Sequence, residues 1–281
     1  MQCAFFFLLC WGMSVHEIHW EIPKSHPRYA SLKRRERLVE CVSAGIATLQ
    51  GLIAHGRGEA FDYLIGERTL NAARRATEVA AELLLSARKP VISVNGNVAA
   101  LAPRAVVELA SLTNARIEVN LFHRTEERVR RIKELLERNG ARGVLGEHAT
   151  ERIEGLEHPR GLVEREGIFT ADVVLVAIED GDRTEALVSM GKKVIAIDLN
   201  PLSRTARTAT VTIVDDVERA LKNLASEVSR IKAQAQKAET EKREKHVSSL
   251  DEILSGYDNK EVLREVLREI TRRLHRLASD M

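Results

Sequence analysis

The chain has 281 residues, 44% of them apolar and only 4% aromatic, enough for a sizeable core filled by Val, Ile, Leu and Ala. Charged residues reach 30%, yet 43 basic against 41 acidic leave +2, so no whole-chain attraction to nucleic acid is expected. Three cysteines, two within the first ten residues, make neither a disulfide framework nor a zinc site.

Residues 1–21 contain, from Cys3, the stretch CAFFFLLCWGM, an apolar run of signal-peptide length with no basic residues before it and no clear cleavage site after it. The run is too short to span a bilayer. We read it as an upstream extension with Met13 as the start of the protein proper, and expect a cytoplasmic protein with no membrane partner. Residues 22–225 read as one nucleotide-binding domain and 226–281 as a charged helical tail.

Ile22–Pro27 is extended, because each proline disfavours helix in the residue before it. Ser31 reads as the cap of a helix reaching about Gln50, with Leu38, Val39, Val42, Ile46 and Leu49 on its apolar side. Lys33, Arg34 and Arg35 crowd its first turn against the helix dipole, which suits a solvated basic face or a nearby anion. Gly56-Arg57-Gly58 reads as a turn at a helix start, where backbone approaches a ligand with His55 and Arg57 beside it. The alternative is a plain turn between helices. Phe61 occupies the third glycine position of a dinucleotide fingerprint, and there is no P-loop.

Asn71–Ala87 is an alanine-rich helix and Pro90–Val94 the first strand, ending in Asn95-Gly96-Asn97. A helix over Pro103–Leu112 precedes a second strand, Ile117–Phe122, whose end carries His123 and Arg124. Thr125–Asn139 is helical and Val144-Leu145 a short third strand. The segment from Gly146 to Gly167 has no firm periodicity and reads as a loop or lid. Three β-branched runs follow, Val173–Ile178, Val194–Ile197 and Val211–Val214, with a helix at Arg183–Met190 closed by Gly191. Runs so apolar suit parallel strands buried on both faces. Polar residues collect where each run stops, at 179–184, 198–201 and 215–216. In an open α/β sheet those strand ends form the ligand crevice. An Asp just past such a strand is placed to accept both hydroxyls of a ribose, which makes this a nucleotide site.

Beyond Val217 the chain reads as helical, with Lys232–Lys245 nearly all polar. Val262, Leu263, Val266, Leu267, Ile270, Leu274 and Leu277 mark a stripe that packs either on the domain or on a second subunit. The expected fold is α/β: a Rossmann-like, mostly parallel sheet with helices on both faces, plus N-terminal and C-terminal helices.

No G-x-S-x-G elbow is present, and scattered histidines read as surface or hydrogen-bonded core groups rather than as metal ligands. Arg35, Arg57, Arg124, Arg183 and Arg204 are candidate phosphate clamps, because guanidinium pairs bidentately with phosphate. Glu179, Asp180 and Asp182 are candidates to hold magnesium among those phosphates, while Asp182 serves equally as the cap of a helix starting at Arg183.

The runs IPKSHPRY (22–29), GLIAHGRGEAFDYLIGE (51–67), PVISVNGNVAAL (90–101), NLFHRTEERV (120–129), EDGDRTEAL (179–187) and VIAIDLNPLSRTA (194–206) resemble archaeal phosphopantothenate synthetase, also called 4-phosphopantoate–β-alanine ligase. The resemblance covers roughly Ile22 to Ala220; the first twenty residues and the tail beyond about Ser226 lie outside it. It implies ATP-dependent joining of 4-phosphopantoate and β-alanine through an acyl-adenylate in coenzyme A biosynthesis, by a homodimer. It further implies nucleotide contacts at Arg35, Arg57, Asp198-Leu199-Asn200, Arg204-Thr205 and Asp216-Val217. Ala177-Ile178, where a Pro-Leu-like pair is expected, is a departure in strand filling. Such chemistry is positioning plus charge neutralisation, so Arg57, Arg183 and Mg²⁺ are expected to matter most. Lys24, His26, Asn95, Asn97, His123, Arg124 and Arg160 are candidates for the second substrate pocket. Two rivals are a Rossmann-type oxidoreductase, which tight NADH binding without ATP binding would favour, and a non-catalytic nucleotide-sensing dimer, which absence of AMP formation would favour.

Overall fold

A computed structural model describes residues 22–240 and 248–281, so the N-terminal extension and part of the polar 232–245 stretch lie outside the described residues. Three helices come first: α1 (Tyr29–Ser43), α2 (Leu49–Ile65) and α3 (Asn71–Ser86). The alternating unit follows as β1 (Pro90–Val94), α4 (Gly96–Leu101), α5 (Pro103–Thr113), β2 (Arg116–Val119) and α6 (Glu126–Arg138). An excursion with two short strands, β3 (Glu151–Arg152) and β4 (Leu162–Val163), leads to β5 (Val173–Ala177), α7 (Gly181–Ser189), β6 (Lys193–Ile197), α8 (Arg204–Thr208) and β7 (Val211–Ile213). The chain closes with α9 (Val217–Thr240), α10 (Leu250–Leu254) and α11 (Asn259–Asp280). No helix among the described residues is long and apolar enough to cross a membrane.

The main sheet is parallel throughout in the order β2-β1-β5-β6-β7. Its β-branched runs are buried on both faces, and alternation along each strand decides which layer a side chain enters. Ile92, Val94, Val173, Leu175, Ile195 and Ile197 join α3, α5, α6, α9 and α11 in the larger core. Val91, Val174, Val176, Val194 and Ala196 face the other way, onto Leu187 of α7 and onto Ile153, Leu156, Val163 and Ile168 of the excursion. The order reverses between β1 and β5, and at such a switch point neighbouring strand ends open apart. There Asn95 Nδ2 spans the gap, donating to the carbonyls of Ala177 and Ile178 at 2.8 and 3.1 Å.

Four segments differ from the sequence reading. The helix expected from Ser31 to Gln50 is two helices. α1 stops at a left-handed Gly45 (φ +68°), and α2 restarts where the Thr48 side chain accepts from Gly51 N–H. Ser31 is no cap; it lies buried in α1 and donates to Glu59. Gly56-Arg57-Gly58 lies inside α2 rather than in a turn. The glycine that permits close approach is Gly51, where a Cβ would meet Asn97 Oδ1 at 2.4 Å. Finally, 146–167 is no free loop or lid. β3 and β4 pair antiparallel, and the excursion covers one face of the sheet. Val144-Leu145, expected as a strand, contributes a single parallel bridge from Leu145 to Glu118 at the β2 edge.

Candidate active site

A cavity of about 850 Å³ lies along the carboxyl ends of the strands. Its walls are the turns after β1 (Asn95–Asn97), β2 (Leu121–His123), β5 (Ile178–Asp180), β6 (Asp198–Asn200, Ser203) and β7 (Asp215–Val217), with one face of α2 across them. Parallel strands end together, so residues more than a hundred positions apart in sequence converge there without any local motif.

Past β6, Asp198 sits half-buried on the cavity wall. Its Oδ1 accepts from Asn200 N–H at 2.9 Å and its Oδ2 from the Ser203 hydroxyl at 2.5 Å. Burial pushes the Asp198 carboxyl up, and those two donors oppose the shift. Each oxygen retains a lone pair, so two further donors can be accepted. Leu199 and Asn200 line the cavity beside it.

Asp215 and Asp216 follow β7 and diverge. Asp215 turns inward, accepting from the Thr69 hydroxyl (2.6 Å), Arg219 Nε (2.9 Å) and Asp216 N–H (2.8 Å). Asp216 accepts from the Glu218 and Arg219 N–H groups at the start of α9 and lies 3.5 Å from Arg34. Val217 completes that wall.

Arg57 lines the cavity from α2, exposed and with no carboxylate in ion-pair reach among the described residues. Arg128, which sequence reasoning does not single out, also lines it. Its Nη2 donates to the Ile46 carbonyl at 3.0 Å and its Nη1 to the His123 carbonyl, and no carboxylate pairs with it among the described residues. Two uncompensated guanidiniums in one cavity make an anion site. Arg128 leaves no sequence signal, because a first-turn arginine on an amphipathic helix looks like any surface charge.

Other basic candidates have partners inside the fold. Arg35 pairs with buried Glu59 at 2.7 Å, and Arg34 and Arg37 with Glu218 at 2.8 and 2.7 Å. Because α1 begins at Tyr29, the basic run at Lys33–Arg35 lies in its second turn, not its first, and carboxylates offset it. Arg204 is 60% exposed and bridges Asp182 and Glu185 on α7. Thr205 is buried, donating to the Glu179 carbonyl at 2.8 Å. Arg183 is wholly buried behind the cavity wall and held by Glu179 at 2.7 Å. Burial pushes the Glu179 carboxyl up against that pairing. Arg183 therefore does not reach the cavity, while Glu179 lines it.

Asn95 and Asn97 line the cavity but are committed structurally, Asn95 as above and Asn97 Nδ2 to the Gly51 carbonyl at 2.8 Å. His123 sits exposed at the rim beside Phe122. Arg160 stacks 4.9 Å over the Phe122 ring and pairs with Asp182 at 2.8 Å, next to the rim. Arg124 donates to the Gly146 carbonyl outside the cavity wall, and burial lowers its pKa. Lys24 and His26 are exposed near the start of the described chain and do not line the cavity.

Of the three candidate metal carboxylates, Glu179 is held by Arg183 and Asp182 by Arg160 and Arg204. Asp180, not Asp182, caps α7, its Oδ1 accepting from Arg183 N–H at 3.0 Å. Its Oδ2 is buried without a partner on the cavity wall, an acceptor suited to a hard cation. No cluster of three or more His, Cys, Asp or Glu side chains arranged for a metal occurs among the described residues.

A family model described as phosphopantothenate/pantothenate synthetase matches residues 72–273, reaching well into α11. A Methanosarcina mazei protein is 54% identical over 260 residues, covering 92% of this chain and 98% of its own length. A Thermococcus kodakarensis protein is 53% identical, with 92% and 95% covered. One from Methanospirillum hungatei is 58% identical over 204 residues, with 73% and 83% covered. Each is named 4-phosphopantoate–β-alanine ligase. With a family model matching 72–273 and likeness running along nearly its whole length, this chain belongs to the phosphopantothenate/pantothenate synthetase family.

Proposed function

We propose that the chain is an ATP-dependent ligase that joins 4-phosphopantoate and β-alanine into 4′-phosphopantothenate, releasing AMP and diphosphate, as a cytoplasmic homodimer. The carrying observation is identity of 53–54% along 92% of the chain to ligases of that name. The cavity suits the chemistry. Asp198, with a free lone pair on each oxygen, takes the ribose hydroxyls, while Arg57 and Arg128 hold the triphosphate. The phosphopantoate carboxylate attacks the α-phosphorus, diphosphate leaves, and the amine of β-alanine then displaces AMP from the acyl-adenylate. Charge developing on the departing diphosphate is met by guanidiniums already in place, which lowers the barrier without reorganisation.

Arg35 and Arg204 join the nucleotide by exchanging carboxylate partners for phosphate. Arg183 acts from behind the wall, by fixing Glu179. Asp180 Oδ2 would be the oxygen that holds Mg²⁺, and the ion would neutralise phosphate charge. The rim cluster of His123, Phe122 and Arg160 is the place for the substrate's own phosphate. The test is AMP release with ATP, phosphopantoate and β-alanine together. Omitting either acceptor should abolish net turnover, and AMP-free incubations with all three present would remove the assignment.

A further inference from the structure

β-Alanine arrives as an ammonium, and its nitrogen must lose a proton before it can attack. The cavity carboxylates are poor acceptors of that proton. Glu179 is held by Arg183, Asp198 by Asn200 N–H and Ser203, and Asp215 by Arg219 and Thr69, while Asp180 caps α7 through Oδ1 and its other oxygen is the one assigned above to Mg²⁺. Asp216 serves the start of α9, and His123 lies exposed at the rim. His55 differs. It projects from α2 onto the cavity wall, and its Nε2 is buried with no hydrogen-bond partner among the described residues.

We propose, resting on the ligase reading above, that His55 is the general base that deprotonates the attacking amine in the second half-reaction. Nε2 takes one proton from the β-alanine ammonium. The freed lone pair forms the C–N bond to the acyl carbon, and the C–O bond to the AMP phosphate breaks with its electron pair leaving on AMP. The second nitrogen proton passes to the departing phosphate oxygen, so nitrogen ends as a neutral amide and His55 as imidazolium, which returns its proton to water.

The surroundings favour that role. Burial lowers the imidazole below its ordinary value of 6.5. Among the groups facing it, Glu59 on α2 and Asp216 at the start of α9 oppose the shift, while Arg34 and Arg35 on α1 reinforce it. The ring is therefore neutral at pH 7 and able to accept. In the imidazolium state that follows, Glu59 and Asp216 supply the stabilising charge.

His55→Gln separates this role from the others, using the full chain. Three rates are compared: phosphopantoate-dependent ATP–diphosphate exchange, amide formation with β-alanine, and hydroxamate formation with hydroxylamine, which is already neutral at pH 7. Exchange and hydroxamate formation should stay within about twofold of the unsubstituted protein, while amide formation falls on the order of 100-fold or more. Above pH 7 the unsubstituted protein should show a flat kcat/KM for β-alanine. The variant should instead climb about tenfold per pH unit towards the ammonium pKa of about 10. Equal loss of all three rates would overturn the proposal, making His55 a structural or nucleotide contact. Undiminished amide formation would also overturn it, giving the proton to AMP or water. Absence of exchange in the unsubstituted protein would instead overturn the adenylate reading, and the role of His55 with it.

Discussion

Asp198 shows how a single carboxylate is prepared for a nucleotide. Burial raises its pKa, and two donors from its own turn oppose that while leaving an open position on each oxygen. In Asp198→Asn the amide oxygen still accepts from Asn200 N–H and the amide nitrogen donates to Ser203, so the turn survives. What is lost is a charge-assisted bond to ribose, worth about 1.5–3 kcal/mol. The ATP KM should therefore rise roughly ten- to a hundredfold with unchanged melting; an unchanged KM would remove Asp198 from the site. Glu118 carries the opposite emphasis. It is wholly buried on β2, its oxygens accepting from Glu164 N–H at 2.9 Å and Ile168 N–H at 2.6 Å. Burial outweighs both donors and pushes its carboxyl up from 4.5 to about 7. The folded state thus binds more protons than the unfolded state between those values, and stability from this group falls as pH rises from about 4.5 to about 7, by about 3 kcal/mol in all. Denaturant midpoints should drop over that window, and Glu118→Gln should flatten the dependence whatever it does to absolute stability.

Between elements, the cavity wall depends on one half-buried guanidinium. Arg219 of α9 reaches Asp62 of α2 through Nη1 at 3.1 Å and through Nη2, and Asp215 after β7 through Nε at 2.9 Å. Burial alone would lower its pKa, but Asp62 and Asp215 together hold it above the ordinary value. This fork docks the helix carrying His55 and Arg57 onto the turn carrying Asp216 and Val217. Arg219→Met strands two buried carboxylates, which costs about 3–5 kcal/mol. Urea unfolding at pH 7 should show that loss, and the deficit should shrink in acid as the carboxylates protonate. A loss under about 1 kcal/mol would mean that solvent reaches the pair. The excursion 146–167 is pinned in the same way, by Glu118 and by Glu164 accepting from Gly146 and His148 N–H groups.

For the whole molecule, α11 is divided. Val262, Leu263, Val266 and Ile270 are buried in the main core, and Asn259 accepts from the Thr212 N–H of edge strand β7 at 2.8 Å. Leu274 and Leu277 are 47% and 44% exposed. The first half of the apolar stripe therefore folds back on its own domain. Truncation before Asp258 removes four buried side chains, on the order of 5 kcal/mol or more at about 25 cal/mol per Å², and should lower Tm sharply. A chain ending at Arg273 should keep its Tm. If the outer half of the stripe joins subunits, that shorter chain should dissociate on dilution in light scattering, while the full chain remains a dimer. A monomeric full chain would remove the dimer from the functional reading.

The strands are legible in the sequence because burial on both faces demands β-branched runs, such as Val173–Ala177 and Lys193–Ile197, and because such runs end in polar residues. The pattern alone therefore puts Asp198, Asn200 and Asp216 at strand ends, where they line the cavity. Glycine misleads at Gly56 and Gly58, since it signals flexibility without saying whether neighbours still form a helix around it. The excursion is illegible because two-residue strands carry no period. Ion pairing lies beyond the sequence altogether: Arg183 and Arg57 look alike as residues, yet one is buried against Glu179 and the other lines the cavity with no ion-pair partner among the described residues. Local sequence sets periodicity and charge, but which charge meets which is decided by approach over long separations, 157 residues between Arg219 and Asp62, and only the packed chain makes that choice.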